Sequence, residues 1–219
     1  MFWSVISIPL PWFIRRRVLE ALCGYKIAKT ARIGFSLIFG ERLVMEDKSS
    51  IGHFNVIKSL DLLHLGEHAK IGAFNWVSGV DSGNPKHFTD EQERHPELII
   101  ARHASITGRH FIDCCNRITI GEFSTVAGAG TQIMTHAIDI KANRQRSAPV
   151  TIGRYCFVGT GSVILKGSAL PDYCVLAANS TLHRKQEQTH VIYSGVPAII
   201  AAKLPPDALY FHRTIGPVP

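Results

Sequence analysis

The sequence predicts an all-β solenoid with three flat sides, and three observations carry that prediction. An aliphatic residue returns at every sixth position, small residues recur at a fixed offset from it, and every interruption of the beat falls after a third hexad. The beat reads Ile27, Ile33, Phe39, Met45, Ile51, Ile57, then Leu65, Ile71, Val77, then Ile100, Ile106, Ile112. It continues with Ile120, Val126, Gln132, then Ile152, Val158, Ile164, Leu170, Leu176 and Leu182. Twenty of these twenty-one positions are apolar; the exception is Gln132. A period of six matches neither a helix nor simple alternation. The breaks follow Ile57 (two residues), Val77 (seventeen), Ile112 (two) and Gln132 (fourteen), so one corner in three tolerates insertion. Each coil is then about eighteen residues, three short strands and three corners, and about seven coils fit the repeat.

In chain order, residues 1–26 come first. Pro9 and Pro11 interrupt the apolar opening, and Arg15, Arg16 and Arg17 follow it, the reverse of a signal peptide; no stretch reaches a membrane span. An amphipathic helix is predicted from Trp12 to Cys23, with Phe13, Ile14, Val18, Ala21 and Leu22 broadly on one side. Two readings stand for it: a lid over the open end of the core, or a peripheral foot on an anionic membrane with Trp3, Trp12 and the arginines at the interface. The repeat domain spans residues 27–203. Small groups four positions after each aliphatic, such as Ala31, Ser49, Ala69, Ala104, Ser124, Cys156 and Cys174, pair one large with one small inward side chain per hexad. Two long polar loops, 79–97 and 137–149, leave the permissive corner, and residues 204–219 form an extended tail.

The bulk numbers agree with one domain: 219 residues, 46% hydrophobic, net charge +7. No basic run with interleaved aromatics marks a nucleic-acid surface. Five cysteines, an odd number without a CxxC, read as reduced thiols in the cytoplasm.

The pattern resembles the hexapeptide-repeat acyltransferases over roughly residues 27–203. Three segments add to the repeat: "THAID" (135–139), "PVTIGRYCFVGTGSVILKGSALPDYCVLAANS" (149–180) and "SGVPA" (194–198). Together they look like the sugar O-acetyltransferases, including those that decorate bacterial surface polysaccharides. The resemblance implies a left-handed parallel β-helix, a homotrimer, acetyl-CoA as donor, a carbohydrate acceptor, and active sites between neighbouring subunits. It implies a cytoplasmic enzyme, with the N-terminal helix leaving open a position on the inner face of the membrane.

Acetyl transfer from a thioester to a hydroxyl needs a base and no covalent enzyme intermediate, and an imidazole suits that task. His136, at the start of a long outward loop, is the expected base. Coil arithmetic stacks it over Asn116, and Asn116 or Asp139 is expected to fix its tautomer, with Asp139 preferred on the family pattern. His110 falls in an inward column with Asn55, Asn75 and Gly130, a buried polar ladder, and is expected to be structural or to contact substrate. Asp113 is expected to orient His110 or touch the acceptor. For the donor, the resemblance lines the pantetheine channel with Thr160 and Ala178, and Arg184, Lys185 and Lys203 are candidate phosphate contacts. The loops are expected to form the acceptor wall, through Asn75, Trp76 and Asp81 at one root and Arg144 and Gln145 in the other. Metal catalysis is not expected, since three converging imidazoles are not in evidence. The rival readings are an amino sugar nucleotide, serine or an antibiotic as acceptor, or a catalytically silent scaffold.

Overall fold

The structure, a computed structural model, describes residues 2–91, 93–216 and 218. Gln92, within the 79–97 loop, and Met1, Pro217 and Pro219 at the ends lie outside the described residues. The chain forms a three-faced parallel β-helix. Face A stacks Lys26–Ile27, Arg42–Met45, Leu62–Leu65, Glu97–Ile100, Ile118–Ile120, Val150–Ile152 and Ala169–Leu170. Face B stacks Arg32–Ile33, Ser50–Ile51, Lys70–Ile71, Ser105–Ile106, Thr125–Val126, Phe157–Val158 and Val175–Leu176, then ends in the hairpin Val191–Ser194 and Ile199–Lys203. Face C stacks Leu37–Phe39, Val56–Lys58, Trp76–Ser78, Phe111–Asp113, Gln132–Met134, Val163–Ile164 and Thr181–Leu182.

The hexad beat is the core. Ile27, Ile51, Leu65, Ile100, Val126, Ile164 and Leu182 are buried, and the small residues Ala31, Ser49, Ala69, Ala104, Ser124, Cys156 and Cys174 sit beside them, also buried. Two positions depart from the expected beat. Ile38, not Phe39, faces inward in the first coil, paired with Ile57. Ile133, not Gln132, continues the column between Ile112 and Ile164, while Gln132 is exposed. The corner before it carries an extra residue, taken up where Gly128 and Gly130 adopt positive φ. The apolar column therefore never breaks at Gln132.

All long insertions leave the corner between faces C and A, as the spacing predicts. The corner between A and B is tight, and non-glycine residues hold it in the left-handed region: His68, His103, Phe123, Tyr155, Tyr173 and His190 have φ of 53–61°. An L-residue there costs about 1–2 kcal/mol in a helix. Here the six rings stack at successive centroid distances of 4.6, 4.9, 4.7, 5.6 and 4.8 Å, which offsets part of that cost. His68, His103 and His190 are rungs of this ladder. The tail folds back on it: Phe211 meets Tyr173 and His190 edge-on, and Arg213 lies over Tyr210 and Tyr155.

The first coil needs a cap for a reason visible in the ladder. Each coil's N–H groups donate to carbonyls of the next coil, as Gly34 N does to Ile51 O and Gly52 N to Ile71 O. The first coil's own carbonyls therefore have no strand to receive from. Helix α1 (Phe2–Ile6) and helix α2 (Trp12–Cys23) close that end. Buried Arg15 donates to the carbonyls of Ile33, Gly34 and Ser36, Arg16 to Ile27, and the Tyr25 hydroxyl to Ile38 and Gly40. The face of α2 that looks inward is Arg15 and Leu19. Phe13, Ile14 and Leu22, expected on the lid's packing side, are exposed.

Candidate active site

His136 opens the second insertion, which is an antiparallel hairpin of His136–Asp139 against Arg144–Ser147. Its Nδ1 lies 2.6 Å from Asp113 Oδ2. Asp113 ends the neighbouring face C strand and is buried. Its Oδ2 accepts the backbone N–H of Thr135 (2.9 Å) and of His136 (3.1 Å), and its Oδ1 accepts that of Cys115 (3.3 Å). Three backbone donors thus fix the carboxylate before the imidazole meets it. A carboxylate only accepts, so Nδ1 carries the proton and Nε2 is left as the basic nitrogen. The hydrogen bond to Asp113 raises the His136 pKa above its ordinary 6.5, against the opposing pull of burial. Burial resists ionisation of Asp113, but the hydrogen bonds from His136 and Cys115 outweigh it and hold the carboxyl below its ordinary value.

The structure corrects the expected partner of His136. Asp139 instead receives the N–H groups of Lys141 and Ala142 and shapes the hairpin turn. Asn116 donates to Ser147 Oγ and accepts from Arg117 N. Asp113 is also not beside His110. The His110 ring is buried in the ladder Asn55–Asn75–His110–Thr131: Asn75 N donates to Asn55 Oδ1, His110 N to Asn75 Oδ1, and Thr131 N to His110 Nδ1. Thr131 takes the rung expected of Gly130, by the same one-residue offset that puts Ile133 in the core. With Nδ1 accepting and Nε2 facing Thr107 Oγ1 at 2.9 Å, His110 is neutral, and burial pulls its pKa down to about 4. His110 also lines an open cavity of about 560 Å³ with Phe74, Arg109, Phe111, Gly130 and Gln132, whereas Asn75 is buried in the ladder.

The two loops do form one wall. Arg144 and Arg146 both reach Asp90, at 2.7 and 2.8 Å. Glu91 accepts from Ser147 N and from Ser147 Oγ (2.5 Å). Between the loops lies a cavity of about 360 Å³ lined by Lys86, His87, Asp90, Ile138, Arg144 and Gln145, among others. Phe88 also lines it, and its buried ring meets His136 edge-on at 6.0 Å while the Arg94 guanidinium covers it at 4.6 Å. Glu91, Phe88 and Arg94 were not legible as site residues. Trp76 is exposed on face C, with Lys58 Nζ 5.0 Å over its ring. Asp81 does not join the wall; it lines a separate cavity with Trp3, Leu22 and Tyr25 at the helical end.

Thr160 and Ala178 meet at the corner between faces B and C. A Cβ on Gly159 would stand 2.5 Å from Ala178 N, and Thr160 Oγ1 donates to Ala129 O at 2.6 Å. Glycine and alanine keep this corner low. Arg184 and Lys185 lie elsewhere, exposed beyond the last face C strand, with Lys185 bridging Ala169 of face A. Lys203 is exposed on the terminal hairpin, paired with Val191. Among the described residues, Asp113, Cys115 and His136 form one group of potential metal donors, their atoms within 4.8 Å of one another. Burial and the hydrogen bond to Asp113 drive the Cys115 thiol pKa far up, so it remains protonated, as do buried Cys114 and Cys156. Among the described residues, no helix is long and apolar enough to cross a membrane.

No protein-family model and no curated protein matches the sequence. Solved structures do match. A mutant of AntD, an N-acyltransferase from Bacillus cereus in complex with dTDP-4-amino-4,6-dideoxyglucose and coenzyme A, is 15% identical, covering 81% of this chain and 89% of its own, with a TM-score of 0.56. The polySia-specific acetyltransferase NeuO is 17% identical, covering 82% and 81%, with a TM-score of 0.54. The likeness shows the fold, a left-handed parallel β-helix of the kind that hexapeptide-repeat acetyltransferases have.

Proposed function

We propose that this chain is an acetyl-CoA-dependent O-acetyltransferase of a carbohydrate hydroxyl, with His136 as general base. One observation carries the reading: an imidazole whose Nδ1 is fixed by a buried carboxylate, at the junction of two polar loops. Acetyl-CoA would supply an activated thioester, so the protein's task is to handle the proton. His136 Nε2 takes the proton of the acceptor hydroxyl as its oxygen attacks, and Asp113 stabilises the imidazolium so formed. The proton then passes to the departing thiolate. Phe88 and the Asp90–Arg144 and Glu91–Ser147 contacts hold the loops around the acceptor, and the cavity beside Arg144 and Gln145 is sized for a sugar unit.

The low corner at Thr160 and Ala178 fits a slender donor such as pantetheine, because small residues there leave the backbone approachable. His136 and Thr160 stand on opposite edges of face C. A groove combining them would therefore use the His136 corner of one copy and the Thr160 corner of the next, which favours the homotrimer. Arg184, Lys185 and Lys203, all exposed, are the candidate contacts for the coenzyme's phosphates. Bacterial surface-polysaccharide synthesis in the cytoplasm, where acetyl-CoA and reduced thiols coexist, completes the reading. The AntD likeness favours one second reading, N-acylation of an amino sugar nucleotide.

Thiol release from acetyl-CoA across a panel of sugars, sugar nucleotides and oligosaccharides tests both. His136→Ala should lower turnover by about a hundredfold or more. Turnover undiminished in that variant removes the base from the mechanism, and activity confined to amino acceptors selects the second reading.

A further inference from the structure

We propose that the two-helix cap is a docking foot for a membrane surface carrying anionic lipid. Helix α2 turns its apolar residues away from the core it closes. Arg15 and Leu19 point into the prism, while Phe13, at 69% exposure, Ile14 and Leu22 face out, and Val5 and Ile6 of the packed helix α1 are exposed as well. A cap needing only to close the end would turn its apolar residues inward; this one buries Arg15 beside Leu19 and leaves Phe13, Ile14 and Leu22 outside. Arg17, 73% exposed, stands on the outward face one turn from Phe13.

Charge follows the same end. The first 42 residues hold seven cations (Arg15, Arg16, Arg17, Lys26, Lys29, Arg32 and Arg42) against two carboxylates, Glu20 and Glu41. Arg15 is taken up by the coil carbonyls, Arg42 meets Glu97, and Arg16 and Arg17 share Glu20, so Arg17, Lys26, Lys29 and Arg32 are the exposed cations at this end. An exposed apolar patch with Arg17 beside it, at the end that carries these cations, suits the headgroup boundary of an anionic bilayer, and helices this short would lie on the surface without crossing it. A water-soluble partner of neutral charge would make no use of the cations.

The test is co-sedimentation of the full chain with vesicles of phosphatidylcholine mixed with phosphatidylglycerol, against phosphatidylcholine alone, at rising salt. The expected result is binding to the mixed vesicles that weakens with salt. Arg17→Gln should weaken it about fivefold, and Phe13→Ser with Leu22→Ser should weaken it at least about tenfold. These side chains are exposed, so the variants should melt with the parent protein; Ile14→Ser replaces the pair if they do not. Equal binding to both vesicle types, no binding, or parental binding by the apolar variants overturns the proposal. So does a change from oligomer to monomer in light scattering, which would give the face to a second copy.

Discussion

Replacing Asp113 with asparagine removes the charge beside His136 and leaves its shape. The amide can turn its oxygen to the three donors at Oδ2, namely Thr135 N, His136 N and His136 Nδ1, giving up only the 3.3 Å bond that Oδ1 accepts from Cys115 N, so the ring should hold its place. What vanishes is the attraction between carboxylate and imidazolium. With charge centres about 4 Å apart and an effective dielectric of about 20, that attraction is worth about 4 kcal/mol. Lost wholly from the transition state, it would slow turnover by about a thousandfold. The ring is 30% exposed, and solvent screening trims the figure toward about a hundredfold. A readout independent of the acceptor exists. In the parent protein, the His136 Cε1–H resonance should titrate above pH 6.5, because the hydrogen bond to Asp113 outweighs burial. In Asp113→Asn, only a neutral acceptor remains beside the ring, so the midpoint should fall. The parent's rate should accordingly rise with pH along a limb centred above 6.5, where the imidazole becomes the free base. Because the folded-state value is raised, the imidazole's contribution to stability is present below pH 6.5 while Asp113 stays ionised and fades as pH climbs through the raised value. A parental midpoint below 6.5, or one unchanged by the substitution, would refute the reasoning.

Two further outcomes follow from the interior. His110 has its pKa depressed to about 4, so its contribution to stability is intact above pH 6.5 and is lost as pH falls toward 4, a span worth about 3 kcal/mol. His110→Asn, which matches the ladder residues Asn55 and Asn75, should flatten that slope in urea unfolding measured from pH 7 to 4; an unaltered slope assigns it to other groups. Ile133→Ala should cost about 2–5 kcal/mol, whereas Gln132→Ala should change stability by no more than about 0.5 kcal/mol. Reversed magnitudes in thermal unfolding would restore Gln132 to the core column.

The sequence carried the architecture because period, small-residue offset and insertion site are each local and repeat through the chain. It carried His136 because the insertion that contains it is conspicuous. It missed the ring's partner because that contact joins residues 23 apart through two stacked coils. Counting from Gln132 put His136 above Asn116. Counting from Ile133, whose partner is Ile112, pairs Met134 with Asp113, two residues from His136. One extra residue at the Gly128–Gly130 corner made that difference, and only backbone conformation reveals it. Phe88, Glu91 and Arg94 belong to an irregular loop without period, so nothing in their spacing told which would turn inward.

Arg15 has a bearing on how the rod meets its own kind. The guanidinium occupies acceptors that any extended peptide could otherwise claim, so it acts as a stopper against end-to-end growth. A truncation starting at Ile27 would expose a sticky terminus, and its failure would be polymerisation before unfolding.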